Sequence, residues 1–220
     1  MEYKILVTGA TGMVGEGVLL ECLARPEVTQ VVSISRRFSN IIHPKLQEIV
    51  TPDFSNLNHV KEQLKGFDAC FFCAGVSAVG LKEAEYTRVT YDLTMHFAET
   101  LAELNPGMVF CYVSGLGTDS SETGRQMWAR VKGKTENALM RLPLKVYNFR
   151  PGVMKPTAGQ KNIKPFLKLL SGLYPLIHFL FPNGASTLKE VGMAMIGSLK
   201  IGYSKQILEV KDIKILAKTI

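Results

Sequence analysis

The stretch of sequence that decides the fold is KILVTGATGMVG, residues 4–15. Its apolar run ends at Thr8, and Gly9, Gly12 and Gly15 follow at three-residue spacing. Beyond Gly15 the apolar residues recur at helical spacing, so the pattern predicts a strand, a tight glycine turn and a helix. In such a unit the glycines allow a sharp turn, close approach of a pyrophosphate, and close helix–strand packing. Because amides at the start of the helix then point at phosphates, the stretch predicts a dinucleotide site.

The residues that follow the second predicted strand indicate which dinucleotide is bound. That strand, residues 31–35, ends at Arg36 and Arg37, with no acidic residue to accept a hydrogen bond from a ribose 2′-hydroxyl. Since a guanidinium there pairs with a 2′-phosphate, we predict NADP rather than NAD. A solvated loop with two arginines is the alternative. Asp53, next to Phe54, is placed to accept a hydrogen bond from the adenine amino group, although a turn-forming Asp explains it nearly as well.

The length and the cysteines limit the domain organisation. A chain of 220 residues has room for one dinucleotide-binding core, residues 1–153, and a small substrate or partner lobe, residues 154–220, that completes the same domain. The N-terminus runs directly into a core strand, so we expect no signal peptide. The cysteines lie among apolar neighbours, without a second pair of metal ligands, so we predict buried free thiols, no metal site and a cytoplasmic location. They are Cys22, Cys70, Cys73 and Cys111.

The net charge of +7 arises entirely from residues 151–220, which contain ten lysines and three acidic residues. A basic region attracts an anionic substrate, an anionic membrane surface or an acidic partner, and a solvated lysine-rich surface is the simpler alternative. Scattered lysines without arginine argue against nucleic acid. The apolar stretch 167–181 is too short to span a bilayer, so we predict no transmembrane segment. We interpret the stretch as a pocket lid or dimer face, with an interfacial membrane anchor as the alternative. We expect His178, within it, to be a packed residue.

Strand-like and helical patterns alternate along the chain, which predicts an α/β fold. Such alternation with near-continuous apolar strands is typical of a doubly wound parallel sheet of the Rossmann type, here with a small C-terminal lobe. We predict helices over residues 81–104 and from Ser120 or Ser121 to about Arg141, and a final helix from Asp212. The predicted strands are residues 4–8, 31–35, 46–50, 68–73, 108–113, 145–149 and 206–210.

Five motifs together resemble the short-chain dehydrogenase/reductase superfamily, specifically its extended and atypical branch of epimerase/dehydratase-like NAD(P)-binding proteins. The resemblance covers about the first 155 residues. It rests on Thr8-Gly9-x-x-Gly12-x-x-Gly15, Cys73-Ala74-Gly75 after the fourth strand, Ser114-Gly115 ending the fifth, Lys132 in the next helix, and Arg150-Pro151-Gly152 after the sixth.

The resemblance implies a role for each matched position. The turn at Cys73, Ala74 and Gly75 would line the cofactor, Ser114 would orient the substrate, and Lys132 would hold the nicotinamide ribose. The loop after the sixth strand would pass beside the nicotinamide amide. The remaining predicted cofactor residues are Phe54, together with Thr11, Met13 and Val14 of the glycine turn and Pro151, Gly152 and Val153 of that loop.

One departure from the family pattern lies in the catalytic helix. The family uses Tyr-x-x-x-Lys, in which the lysine lowers the pKa of the phenol so that it exchanges a proton with the substrate. This chain has Trp128 and Lys132 at those positions, on one face of the helix. Indole has one N–H donor and no useful acidity near neutral pH. Three explanations for the missing tyrosine are open: another phenol supplies the proton, the reaction needs little proton transfer, or the site has no catalytic activity. The candidate phenols are Tyr86, Tyr91 and Tyr112.

The sequence therefore predicts an NADP(H)-binding oxidoreductase or epimerase-like protein that acts on an unknown small molecule. Ser114, Lys132 and Trp128 form the predicted catalytic group. The alternative is a non-catalytic NADP(H)-binding regulator or sensor that acts on a protein or membrane partner. We expect a monomer or a homodimer.

Overall fold

The computed structural model describes residues 1–163, 174 and 180–220. Its strands are β1 (Tyr3–Thr8), β2 (Val28–Ser35), β3 (Leu46–Val50), β4 (Ala69–Phe72), β5 (Val109–Val113), β6 (Lys145–Arg150), β7 (Val153–Lys155), β8 (Ala185–Thr187) and β9 (Ile207–Glu209). Its helices are α1 (Met13–Ala24), α2 (Glu83–Thr87), α3 (Leu93–Leu104), α4 (Met127–Leu139), α5 (Leu188–Lys200) and α6 (Val210–Ala217). A 3-10 turn covers Lys61–Leu64, and a π-helical turn, Arg88–Asp92, joins α2 to α3.

Seven of these strands form one parallel sheet in the order β3-β2-β1-β4-β5-β6-β9. The chain winds outward from β1 to β3 on one side and from β4 to β9 on the other, which confirms the predicted doubly wound fold. The direction reverses between β1 and β4, where Thr8 pairs with Phe72. In such sheets ligands bind at this crevice, outside the carboxyl ends of the strands.

Helices cover both faces of the sheet because its strands are apolar on both sides. One face packs against α1, α5 and α6 through residues such as Val18, Val191 and Ile213. The other packs against α3 and α4, with Phe97 and Leu139 fully buried. The two core clusters fix the strand ends, and therefore the loops that leave them.

The start of α4 differs from the prediction. The helix begins at Met127, not at Ser120 or Ser121, and ends at Leu139. The carboxylate of Asp119 accepts hydrogen bonds from the Ser121 amide at 3.0 Å and the Gly124 amide at 2.6 Å. These bonds close a loop where the sequence pattern predicts a helix cap. The same residue types favour both structures. The other predicted strands and helices occur within a few residues of their predicted bounds.

The C-terminal residues contribute to the main sheet as well as to a small one. Strand β9 pairs with β6, and α5 packs closely on α1, where Gly192 lies against the Glu21 side chain. Strands β7 and β8 form a separate two-stranded parallel sheet. The predicted lid or dimer face at 167–181, with His178, lies almost wholly outside the described residues. No helix in the described ranges is both long enough and apolar enough to cross a membrane.

Candidate functional site

The glycine turn after β1 is held by contacts that leave no room for side chains at two of its three positions. Gly9 has φ +72°, and a Cβ on it would lie 2.8 Å from the backbone of Cys73 and Ala74. A Cβ on Gly15 would lie 2.1 Å from the Gly9 carbonyl oxygen. At Gly12 a Cβ would meet only that oxygen, at 3.4 Å. The space beside Gly12 is therefore open to a ligand.

Thr8 joins this turn to the loop that follows β4. Its hydroxyl oxygen accepts hydrogen bonds from the amides of Cys73 and Ala74, both at 3.1 Å. The hydroxyl thus holds the ends of β1 and β4 at a fixed separation, across the point where the sheet changes direction. The loop Cys73-Ala74-Gly75 consequently borders the glycine turn.

Two cavities meet at that loop and form one cleft along the carboxyl ends of the strands. A cavity of about 190 Å³ is lined by Gly9, Thr11, Gly12, Ser35, Arg36, Arg37, Phe54, Cys73, Ala74 and Gly75. A cavity of about 550 Å³ is lined by Val14, Cys73, Ala74, Gly75, Val76, Val113, Ser114, Gly115, Leu116, Trp128, Lys132, Pro151, Gly152, Val153, Met154 and Gly184. A further cavity of about 170 Å³ places Asp53 beside Arg36 and Phe54.

Nearly all of the predicted cofactor residues therefore line one continuous cleft. The two exceptions are Gly15, which is buried beneath the turn, and Met13, the first residue of α1. The carbonyl oxygen of Met13 accepts a hydrogen bond from Gln160 Nε2 at 2.7 Å. Gln160 thus ties the chain after β7 to the N-terminus of α1.

The charged groups at the narrow end of the cleft, which comprises the 190 Å³ and 170 Å³ cavities, differ in their hydrogen-bond partners. Arg36 and Arg37 are exposed, and neither guanidinium has a hydrogen-bond or salt-bridge partner within the described part of the chain. Asp53 Oδ1 accepts hydrogen bonds from the Ser55 hydroxyl at 2.6 Å and amide at 2.7 Å. These bonds lower the pKa of the Asp53 carboxyl. The arginines are free to pair with an anion, whereas one oxygen of Asp53 is committed to its own turn.

The wide end of the cleft is the 550 Å³ cavity, and Lys132 is the one charged side chain among the described residues that line it. Its ammonium donates to the carbonyl oxygens of Ser114 at 2.5 Å and Val113 at 3.3 Å. Burial lowers the pKa of Lys132 to about 8, and the nearby charge of Glu136 opposes this shift. The lysine is therefore anchored to the end of β5 and faces the cleft from α4.

Behind Lys132 lies a buried network that sequence reasoning did not identify. The Ser114 hydroxyl donates to Glu136 Oε1 at 2.5 Å. Arg150 donates to both oxygens of Glu136, to Glu209 Oε1 at 3.1 Å and to the Ser120 hydroxyl at 2.6 Å. The one sequence signal for it is the position of Glu136, four residues after Lys132 and thus on the same face of α4.

Trp128 lies one helical turn before Lys132 and lines the cleft with its ring. Its ring edge would be 3.6 Å from a Cβ placed on Gly117. The indole N–H donates to Gln126 Oε1 at 2.7 Å. The side chain therefore presents an apolar plane to the cleft, while its single donor is already used.

None of the three candidate phenols is among the described residues that line the 550 Å³ cavity. Tyr86 and Tyr112 are buried, and burial raises the pKa of both. Tyr91 packs its ring against the Lys134 ammonium, 4.4 Å from the ring centre. Among the described lining residues, no phenol is therefore in place to supply the proton that the missing tyrosine would exchange.

Residues 5–122, more than half of the chain, match the sequence model of the NAD dependent epimerase/dehydratase family. The chain is 29% identical to protein fmp52, mitochondrial, of Emericella nidulans, over 72% of this chain and 69% of that protein. It is also 29% identical to protein HTATIP2 of Rattus norvegicus, over 69% of this chain and 62% of that protein, which is less than two thirds of the rat protein.

The fold is also similar to that of the Bordetella bronchiseptica enzyme WbmF, solved in complex with NAD+. The TM-score is 0.70, over 99% of this chain and 77% of that one. Since only 14% of the aligned residues are identical, this likeness concerns the fold alone.

Proposed function

Since this chain belongs to the NAD dependent epimerase/dehydratase family, we propose that it binds NADP(H) and acts as an oxidoreductase or epimerase-like protein on a small molecule. One observation carries the proposal: the glycine-turn cavity and the wider cavity at Lys132 meet at Cys73, Ala74 and Gly75. A ligand that lies along the strand ends would contact both. A dinucleotide has the length and the two chemically distinct ends that such a cleft requires.

The residues of the cleft fit this cofactor. The open space beside Gly12 and the first amides of α1 would receive the pyrophosphate, with the positive end of the helix dipole toward it. The guanidiniums of Arg36 and Arg37, which have no partner among the described residues, would bind a 2′-phosphate. This is our reason for proposing NADP although WbmF was solved with NAD+. When bound, the nicotinamide supplies or accepts a hydride.

The residues at the wide end take the roles that the family resemblance implies. Lys132 would hold the nicotinamide ribose, and Pro151, Gly152 and Val153 would lie beside the nicotinamide. Ser114 and Trp128 would face the substrate. Because the Ser114 proton goes to Glu136, Ser114 would meet a ligand with its oxygen rather than with a donor. The part of the chain after residue 153 would complete the substrate or partner side.

Trp128 supports a second candidate, a non-catalytic NADP(H)-binding regulator or sensor. The indole N–H is committed to Gln126, and no candidate phenol replaces the tyrosine among the described cleft residues. A regulator would need the cofactor for its shape and not for its chemistry. The free cysteines favour a reducing compartment for either function, and we propose the cytoplasm.

Titration of the intrinsic fluorescence with NADPH and then NADH tests the cofactor proposal. Trp128 is the chain's one tryptophan and lines the cleft, so a reduced nicotinamide bound there would quench its emission. We expect strong quenching by NADPH at micromolar concentration and a weaker response to NADH. An unchanged emission with both would refute cofactor binding at this site.

Two further variants separate the two candidates. Turnover by the wild-type protein that is lost in Lys132→Ala would support an enzyme. Capture of a partner that depends on NADPH and persists in Ser114→Ala, with no turnover of any tested substrate, would support the regulator.

A further inference from the structure

The wide end of the cleft has apolar walls wherever the predicted cofactor residues do not form them. Once those residues are set aside, the large side chains that remain are Val76, Leu116, Trp128 and Met154. The other lining positions are Val113, Ser114, Gly115 and Gly184. No charged side chain is among these eight described positions.

Several polar groups at this end are already paired within the protein. The Ser114 hydroxyl donates to Glu136, and the Trp128 indole donates to Gln126. The amides of Ser114, Leu116 and Gly184 donate to backbone carbonyl oxygens at 2.8–3.0 Å. A substrate with many hydroxyl groups would therefore find few partners among the described groups.

Three aliphatic side chains are exposed together at the mouth of the same cavity. Val76 is 41% exposed, Leu116 is 46% exposed and Val153 is 41% exposed, and they come from the loop after β4, the loop after β5 and the start of β7. Single exposed aliphatics are ordinary, but convergence on one cavity indicates a ligand site. An apolar ligand would remove this surface from water, which is the main source of affinity in such pockets.

The basic C-terminal lysines do not change this character. Of the ten, the eight that the structure describes are absent from the lining of the cavity. Among the described residues, the one cation that lines it is Lys132, whose ammonium donates to two carbonyl oxygens. An anionic substrate would thus find no free positive group among the described lining residues.

We propose that the substrate of this cleft is an uncharged, apolar carbonyl compound and not a sugar nucleotide. The inference rests on the proposed function, which supplies the occupant of the narrow end and the hydride that would add to the carbonyl carbon. Water in the open cleft would supply the proton that the carbonyl oxygen takes up. The walls Val76, Leu116, Trp128 and Met154 provide the binding surface. Each sugar hydroxyl buried here without a partner would lower the affinity by on the order of tenfold.

Calorimetric titration of the whole chain with and without saturating NADP+ tests the substrate class. The probes are acetophenone and acetylnaphthalene as apolar ketones, benzoate as a charged compound of similar size, and UDP-glucose as a sugar nucleotide. We expect at least one ketone to bind at least about tenfold more tightly than benzoate or UDP-glucose. Tighter binding of UDP-glucose or benzoate would overturn the proposal, and so would failure of both ketones to bind to protein that binds NADPH.

A matched pair of variants locates the binding. Leu116 and Ile215 are both 46% exposed, but only Leu116 lines the cavity. Leu116→Asn should weaken ketone binding by about tenfold and Ile215→Asn should not, while NADPH quenching of Trp128 stays the same in both. Equal ketone affinities in the two variants would place the binding elsewhere and refute the proposal.

The two proposals fail separately. If NADPH does not quench Trp128, the proposed function is refuted. Ketone binding to the cofactor-free protein, and its loss in Leu116→Asn, then still tests whether the cavity binds apolar ketones. With NADPH quenching but no ketone binding, the substrate class alone is refuted.

Discussion

Ser114 and Glu136 are joined inside the protein by a hydrogen bond of 2.5 Å, in which the Ser114 hydroxyl donates to the carboxylate. Glu136 is fully buried on α4, and Ser114 follows β5. Arg150, at the end of β6, donates to both oxygens of the same carboxylate. The buried carboxylate of Glu136, paired with the Arg150 guanidinium, thus connects α4 to the ends of β5 and β6, which border the cleft.

Neutralising Glu136 should destabilise the protein markedly. In Glu136→Gln the Arg150 guanidinium stays buried while its main counter-charge is lost, and we expect the free energy of unfolding to fall by about 3 kcal/mol. Urea unfolding measures it. Glu83→Gln is the control, because Glu83 pairs with Arg130 at 2.7 Å on the surface, where such pairs contribute less than about 1 kcal/mol. Equal losses in the two variants would contradict a special role for the buried pair.

Removing the Ser114 hydroxyl should affect stability more than cofactor binding. Ser114→Ala removes one of the two donors to Glu136 Oε1, the other being Arg150 Nε, and the loss of this hydrogen bond to a charged group should lower the free energy of unfolding by about 1–2 kcal/mol. We expect NADPH quenching of Trp128 to keep its midpoint within about twofold, a change of less than about 0.5 kcal/mol in binding. Unchanged stability with a large loss of NADPH affinity would mean that the hydroxyl acts on the ligand instead.

Arg36 should distinguish the two nicotinamide cofactors. Its guanidinium lines the narrow end of the cleft without a partner among the described residues, and the partner that we propose for it there is the 2′-phosphate of NADP(H). Arg36→Ala should weaken NADPH binding by about tenfold to a hundredfold and NADH binding by much less. Fluorescence titration measures both, with the exposed Arg141→Ala as the control. Equal losses for NADPH and NADH would show that no 2′-phosphate is bound by Arg36.

A methyl group should affect stability at one glycine of the turn and cofactor binding at another. Gly15→Ala would place a Cβ 2.1 Å from the Gly9 carbonyl oxygen, so we expect a loss of about 3 kcal/mol in the free energy of unfolding. Gly12→Ala meets only that oxygen, at 3.4 Å, and should change stability by less than about 0.5 kcal/mol. It should nevertheless weaken NADPH binding about tenfold, because the methyl would fill the space that we propose for the pyrophosphate. The opposite ranking of the two stabilities would refute this account of the turn.

The sheet and the glycine turn were predictable because short-range physics determines them. Apolar runs of strand length, glycines at three-residue spacing and a following helical pattern allow few alternatives. The start of α4 was not predictable in this way. Asp119, Ser120, Ser121 and Glu122 suit a helix cap as well as the closed loop that forms, and the choice depends on the contact between the Asp119 carboxylate and the Gly124 amide.

The buried network was not predictable because its members are far apart in the sequence. Arg150 lies 14 residues after Glu136 and 36 after Ser114, and each alone resembles an ordinary polar residue near an element end. Their pairing depends on the register between β5 and β6, where Val113 pairs with Phe149. The apolar rim formed by Val76, Leu116 and Val153 is non-local in the same sense, since the three residues meet only through the fold.

Lys132 gives the protein a pH dependence whose sign follows from its burial. Burial lowers the pKa of Lys132 in the folded chain to about 8, from an ordinary value of 10.5. Between these values the unfolded chain carries a proton at this position that the folded chain lacks. The unfolded state therefore binds more protons, and the contribution of Lys132 to stability becomes more favourable as pH rises from about 8 to about 10.5.

Lys132→Met, which keeps most of the side-chain volume without the charge, should remove this contribution. We expect the free energy of unfolding of the wild-type chain, relative to the variant, to rise by about 3 kcal/mol across that pH window. Urea unfolding at several pH values measures the difference, in which other titrating groups cancel. Lys134→Met, which removes an exposed charge from the same helix, is the control. A difference between the wild type and Lys132→Met that stays flat with pH would mean that the Lys132 ammonium is as well solvated in the cleft as in the unfolded chain, and the lysine would then be an ordinary surface cation.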